Sequence, residues 1–452
     1  TVTTGSANGA LGIRSITQSS VTSNTLGNQT LDYSYRGNGQ KFNSNTKASY
    51  GTAYTTNDVI GIALDLDDGT IKFLNDNSDQ GTAYTGISGT FVFAVGDDHT
   101  SSAFAGTFNF GASSFTYTPP TGYKALNSAN LPTPSVTDPS LYFQSTLYSG
   151  NGSTQSISNG GNSDLQPDLI WIKNRSAADS HVLTDAVRGV TKILSTDSTG
   201  AESTDADTVT AFASDGFALG ADDKVNTSSE NYVAWQWKEG STPGFDIVTY
   251  TGTGSGANIS HSLGVKPSVV IVKCRSDGST HWIVNDWSGD YANKLKLNEN
   301  EAASGSSGFI TAATSSNFTL GTDSDVNGSS RTYVAYCFAE VEGFSKFGSY
   351  TGNGNADGPF VATGFAPSVI IFKNASAAYN WDIRDSKRDP LNPNTFYLSP
   401  SLNDAEATSS DGVDFLSNGF KYRSSGATAN GSGNTIIYMA FAKTPFKTAN
   451  AR

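Results

Sequence analysis

Four histidines, two cysteines and three evenly spaced acids are the side chains of this 452-residue sequence that could carry metal, nucleophilic or hydrolytic chemistry. Zinc needs a converging set of Cys, His or acidic ligands. His99, His181, His261 and His281 have no Cys or His at ligand spacing, and although His181 and His281 read as equivalent positions, the third such position is Asn380. The stretch TDSDVNG, Thr322 to Gly328, matches the front half of a calcium loop, but Val334 stands where the closing bidentate acid belongs, which favours a polar turn over a calcium site. A Gly-x-Ser-x-Gly elbow for acyl transfer is missing from the sequence. Glycoside hydrolysis takes two facing carboxylates. Asp185, Asp286 and Asp385 come one at a time, each closing a short strand, and read as turn caps or partners of a strand lysine. The reading is of a protein that is not an enzyme and needs no metal or cofactor.

Aromatic side chains are the better binding candidates. Trp282, Trp287, Tyr379 and Trp381 stand among Ser, Thr, Asn and Asp, and an aromatic face ringed by polar groups suits stacking on a sugar or docking on a partner. Core packing of alternating strand residues is the competing reading.

The elements that position these residues are written three times. QPDLIWIKNRS from Gln166, KPSVVIVKCRS from Lys266 and APSVIIFKNAS from Ala366 place Pro167, Pro267 and Pro367, Lys173, Lys273 and Lys373, and Ser176, Ser276 and Ser376 at intervals of 100 residues, the mark of a tandem duplication. Each carries four consecutive apolar residues, Leu169 to Ile172, Val269 to Val272 and Val369 to Phe372; an unbroken β-branched run predicts a strand covered on both faces. Each repeat opens with a tyrosine and a glycine-spaced turn (Tyr148, Tyr250, Tyr350), read as a hairpin turn because no helix follows to make a phosphate loop. Each then runs through a short strand, HVLTD, HWIVND or NWDIRD, a Phe element at Phe217, Phe318 or Phe420, and a final aromatic strand, YVAWQW, YVAYCF or IIYMAF.

Composition agrees with an all-β chain of tandem antiparallel β-sandwich modules: 47 glycines, 11% aromatic and only 15% charged residues. A net charge of −13 leaves no basic footprint for nucleic acid, and no apolar run is long enough for a membrane-spanning helix, so neither nucleic acid nor membrane insertion is expected. Cys274 and Cys337 both fall in the middle repeat and read as core thiols first, a disulfide second.

Residues 1–131 follow a different pattern. Asp58 to Ile87 alternates around Asp67-Asp68-Gly69 and predicts a hairpin; Phe108 to Asn127 reads as a strand running into a proline-rich loop. YGTAYTTNDVIGIALDLDDGTIKF, QGTAYTGISGTFVFAV, NFG and TPPTGYKALN, in that order, resemble the SPRY domain as found in tailed-phage virion proteins. The resemblance implies a bent sandwich of two antiparallel sheets that binds through its loops without catalysis. It departs in one respect: no Trp/Tyr-rich strand precedes Gly12, which reads as an opening strand supplied from upstream or by another chain, and the chain as a piece of something longer. The repeats resemble an uncharacterised β-domain that follows SPRY-like modules in phage tail and virion proteins, notably in PDLIWIKNRS and YVAWQW.

The expected organisation is therefore a SPRY-like sandwich (1–131), a stiff Pro-rich linker (132–140), and β-repeats at 141–239, 240–341 and 342–452. With the resemblance, the expectation is an extended, extracellular virion surface protein, a tail-fibre segment displaying host- or glycan-binding loops. It would associate with other virion proteins and with its own copies, as a trimer by the same resemblance, and contact a cell-surface glycan or protein receptor. A head-decoration or head-fibre protein is the alternative, and a secreted bacterial adhesin or carbohydrate-binding protein the alternative from another class. A tailspike depolymerase calls instead for coils of about 20–30 residues.

Overall fold

Pro167 and Pro267 stand two residues ahead of a strand, where a missing N–H costs no ladder bond; Pro367 lies inside its strand, at a register shift that serves the same end. These observations come from a computed structural model, which describes residues 1–15, 25–97, 104–285 and 291–448. The chain is nearly all β and forms two compact units, Thr1–Leu131 and Pro132–Arg452.

In the first unit, Thr46–Ser49, Gln40–Asn43, Asp32–Arg36, Gly9–Ser15 and Phe91–Asp97 lie side by side in one sheet; Ile60–Asp65, Thr70–Asn75 and Ser78–Tyr84 form a second. Leu11, Ile13, Tyr35, Ile71 and Phe73 fill the space between them. The predicted hairpin is present, Ile60 pairing Asn75 and Asp65 pairing Thr70, and the Asp65 carboxylate accepts the turn N–H groups of Asp67 and Asp68, both at 3.0 Å. A short strand, Val2–Thr4, precedes Gly9–Ser15 and pairs with Ala105–Gly106. Phe108 to Asn127 is not the strand expected. Pro119 and Pro120 supply no donors, and asparagine side chains satisfy the backbone in place of a ladder: Asn109 Nδ2 donates to Ser113 O at 2.9 Å and Asn109 Oδ1 accepts Gly111 N at 2.9 Å.

In the second unit one strand order occurs three times. An opening strand (Phe143–Ser149, Phe245–Thr251, Ser345–Thr351) pairs with a return strand (Asn231–Trp237, Thr332–Phe338, Thr435–Pro445), which pairs with a central strand (Leu169–Asn174, Val269–Cys274, Phe365–Asn374), which pairs with a flanking strand (Val182–Asp185, Ile283–Asn285, Asp382–Asp385). A second sheet, of three strands in the first two segments and four in the third, contains Gly216–Leu219, Asn317–Leu320 or Gly419–Tyr422. The glycine-spaced turn is a corner and not a hairpin, because the strands on its two sides belong to different sheets. It packs so tightly on the short helix before the return strand that a Cβ on Gly150, Gly252 or Gly352 would fall 2.2–2.3 Å from a carbonyl oxygen, so glycine is required there.

Alternate residues of the first two central strands face different cores, while both faces of the third lie in one continuous cluster. Ile170, Ile172 and Tyr232 pack inside the first segment, and Val270, Val272 and Tyr333 inside the second. From the other face Leu169, Trp171, Trp235, Val269, Tyr336, Val369 and Met439 enter one core shared by all three segments. The expectation of an extended string is thus corrected: the segments close on one another. The stretch 132–140 is not a free linker either, since Val136 is 1% exposed in that shared core and Pro134 packs on Gly343.

Cys274 and Cys337 are buried and free. The register sets Val270 opposite Cys337 and Tyr333 opposite Cys274, a separation of about 13 Å along the ladder, beyond the reach of a disulfide.

Candidate functional site

Of the four aromatic candidates, Trp282 and Trp381 are buried, at 0% and 1% exposure, and lie in the shared core; this corrects the surface reading. Trp287 lies outside the described residues, and Tyr379 is half-buried in the turn before the third flanking strand. The polar residues around the two tryptophans belong to the packing. Trp282 Nε1 donates to Ser195 O in the first segment at 2.9 Å, and Trp381 Nε1 donates to Lys296 O in the second at 2.8 Å.

The register places His181, not His281, with these tryptophans. Leu183 faces Leu194, Val284 faces Leu295 and Ile383 faces Leu398, so His181, Trp282 and Trp381 correspond, as do Ser195, Lys296 and Ser399. His181 closes the cycle. Its Nδ1 accepts Trp171 Nε1–H at 2.8 Å, which leaves the proton on Nε2 for Ser399 O of the third segment at 3.0 Å. Burial pushes its pKa down to about 4, so the ring is neutral. The bulk is compensated as well, Trp171 with His181 occupying the place of Ile271 with Trp282 and Ile371 with Trp381.

The same seams are bonded three more times. Glu202 N donates to Arg275 O at 2.8 Å, Ala303 N to Ala375 O at 2.8 Å and Glu406 N to Arg175 O at 3.0 Å, which are corresponding positions. Arg275 pairs with Glu202 at 2.8 Å and Arg175 with Glu406 at 2.6 Å, whereas the third seam has alanine on both sides. The cation and the anion are absent together there, as expected where having one alone would strand a half-buried charge. Restoring both with Ala303→Glu and Ala375→Arg should give a coupling of about 0.5–1 kcal/mol in a double-mutant cycle read by urea unfolding, each single change being neutral or destabilising.

The recurring lysines are buried without a paired carboxylate. Lys273 Nζ donates to Thr280 O at 2.9 Å and across the seam to Thr199 O at 2.8 Å; Lys373 Nζ reaches Asn300 O at 3.3 Å. Burial pushes Lys173, Lys273 and Lys373 each down to about 8 from 10.5. Between those values the unfolded chain binds more protons than the folded one, so these groups make stability rise with pH across that window. Lys273→Met should flatten the difference between urea midpoints at pH 7.5 and 9.5; an unchanged slope would count against an amine whose pKa is lowered by burial.

Asp185 and Asp385 cap turns, as expected, but their partners are arginines. Asp185 Oδ1 accepts Arg188 N at 2.8 Å and its Oδ2 takes Arg188 Nε at 2.5 Å; Asp385 takes Arg388 in the same way. Each acid also receives a bond from another segment, Tyr336 Oη to Asp185 at 2.8 Å and Trp235 Nε1 to Asp385 at 3.2 Å. Asp286 lies outside the described residues. The serines have a defined task too: Ser176, Ser276 and Ser376 Oγ accept the N–H of Asn231, Thr332 and Thr435 at 2.9–3.0 Å.

Asp323 of the calcium-like stretch accepts Asp325 N at 2.8 Å as the cap of a four-residue helix, and Asp222 does the same for Lys224 N. Each segment has such a four-residue helix, and it ends in a residue not singled out from sequence, Asn226, Asn327 or Asn430, each fully buried. Each accepts an N–H of the glycine turn through Oδ1, from Asn151, Thr253 and Asn353 at 2.8–2.9 Å. Their signal was the common Val-Asn or Ala-Asn just before the return strand.

Ligand chemistry finds little room where the three segments meet. The void there, lined by Trp171, Trp237, Ile271, Tyr336 and Met439 among others, measures about 30 Å³, against the several hundred of an ordinary ligand pocket. Residues 4–112 match the SPRY domain. Residues 138–445, more than half of the sequence and the whole cycle of seams, match the Domain of unknown function (DUF7483), and the chain belongs to that family.

Proposed function

We propose that residues 141–239, 240–341 and 342–452 are copies of one duplicated β-domain and that the chain is a non-enzymatic, extracellular structural protein of a tailed-phage virion surface. In this reading it is a tail-fibre segment whose loops meet a host-cell glycan or protein receptor, assembled with other virion proteins and with its own copies as a homotrimer. The observation that carries the reading is the use made of the recurring residues. Lysine, serine, turn acid and aromatic pair each hold a seam or a turn, so what repeats is scaffold and what varies is loop.

The contact residues are then sought outside the shared core. Tyr379 remains a candidate, and the first unit adds a cluster in which Phe93 packs on Phe108 at 4.9 Å and Phe110 at 5.4 Å, the last two 45% and 41% exposed. Binding of the full chain to host cells and to a glycan panel, with Phe108→Ala/Phe110→Ala and Tyr379→Ala variants, tests this. Loss in either variant at unchanged melting temperature supports loop binding; unchanged binding in both removes it. Glycan cleavage would move the protein to the depolymerases, and native mass measurement showing only monomer would remove the homotrimer.

A further inference from the structure

Two crossovers join the segments in sequence, and they are built from unlike charges at corresponding positions. Glu239 and Glu340 each stand two residues beyond a return-strand aromatic, Trp237 or Phe338. Asp246 and Lys346 each stand second in an opening strand. In the second crossover these positions form an ion pair, Lys346 with Glu340. In the first, the carboxyl of Glu239 is hydrogen-bonded to that of Asp246.

That first crossover is tight: Gly240 N donates to Phe245 O at 2.8 Å and Phe245 N to Gly240 O at 3.1 Å. Glu239 Oε1 accepts Ile247 N at 3.1 Å, one residue past Asp246, and Glu239 N donates to Asp168 Oδ2 at 2.8 Å. Asp246, 5% exposed, has its Oδ2 engaged by Ser262 N. The charged and titratable groups facing this contact are Asp246 and the buried Cys337 thiol of the second segment, Asp168 ahead of the first central strand, and Lys238, whose amine is taken by Asp168 at 3.2 Å. None of them places a cation between Glu239 and Asp246.

We propose that the Glu239–Asp246 contact is a pH-sensitive clasp between the first two segments, closed while the two carboxyls share a proton and loosened when both are ionised. A buried and a half-buried carboxylate in contact repel, and a shared proton turns that repulsion into a hydrogen bond. Burial, then the hydrogen bond to Asp246, pushes Glu239 up to about 7. The sign follows: above its ordinary value the folded state holds a proton that the unfolded state has released, so the clasp's contribution is full in acid and is lost as pH rises through about 7.

The test is hydrogen exchange of the full chain at pH 5.5 and 8, corrected for intrinsic rates, read over residues 238–250. Protection there should fall at least about tenfold at the higher pH in the native sequence, while the second crossover, with its ion pair, stays level. Glu239→Gln, which keeps the acceptor for Ile247 N but cannot ionise, should abolish the fall, and Asp246→Lys should convert the first crossover to the behaviour of the second. A level native profile, or a fall that persists in Glu239→Gln, overturns the proposal. Glu239→Gln is nearly isosteric, so the test holds even where Asp246→Lys fails to fold.

Discussion

Arg388→Ala is expected to lower the unfolding free energy of the Pro132–Arg452 unit by about 3–5 kcal/mol, the cost of leaving a buried charge without its partner. Asp385 is fully buried, and Arg388 supplies both its backbone N–H and its guanidinium to that carboxylate. The same guanidinium reaches Glu406 at 2.9 Å and lies 5.5 Å from the centre of the Trp235 ring, so its loss loosens the first-to-third seam from two sides. Arg423→Ala is the control: its pair with Asp414 is 44% exposed on the arginine side and should cost about 0–1 kcal/mol. Denaturant unfolding of the two variants measures the contrast, and equal losses would mean that the buried network is not what secures the seam.

Trp282→Ala and Trp381→Ala should each cost about 3–5 kcal/mol, the range for deleting a large buried aromatic. Both also orphan a carbonyl of the neighbouring segment, that of Ser195 or Lys296. Any loss of partner binding in these variants should therefore track loss of folded protein and vanish when folded fractions are matched. A stable variant with impaired binding would return these tryptophans to the recognition surface.

The central strands were legible because four consecutive apolar residues, most of them β-branched, shortly after a proline have few other uses, and the demand for cover on both faces followed from the same run. What supplied the second cover was not legible. An apolar run records that a face is buried without recording by what, and here the answer is another segment of the same chain. The polar neighbourhood of Trp282 and Trp381 misled for a related reason. Asn298 Oδ1 accepts the Trp282 N–H at 2.9 Å and backbone carbonyls take both indoles, so those polar groups satisfy a seam and do not mark solvent. Matching His181 with His281 by identity hid the correspondence, although counting four residues back from Asp185, Asp286 and Asp385 gives His181, Trp282 and Trp381. In the first unit the hairpin was legible from strict alternation, whereas Phe108 to Asn127 carried strand-like aromatics on a backbone that proline and asparagine divert.

Closure of the cycle sets the order of events during synthesis. Arg175 must wait for Glu406, 231 residues later in the chain, which at about 5–20 residues per second is roughly 10–50 s of translation. Throughout that interval the first segment displays half of an interface whose proper complement does not yet exist, while neighbouring ribosomes on the same message carry chains with the same half. Contacts of such long range form slowly, and a third segment donated by another nascent chain would satisfy the waiting surface equally well. Interlocked dimers should therefore become more abundant at high expression, and size-exclusion profiles across an expression series should show them; a dimer fraction independent of expression level would argue that the cycle closes faster than chains meet.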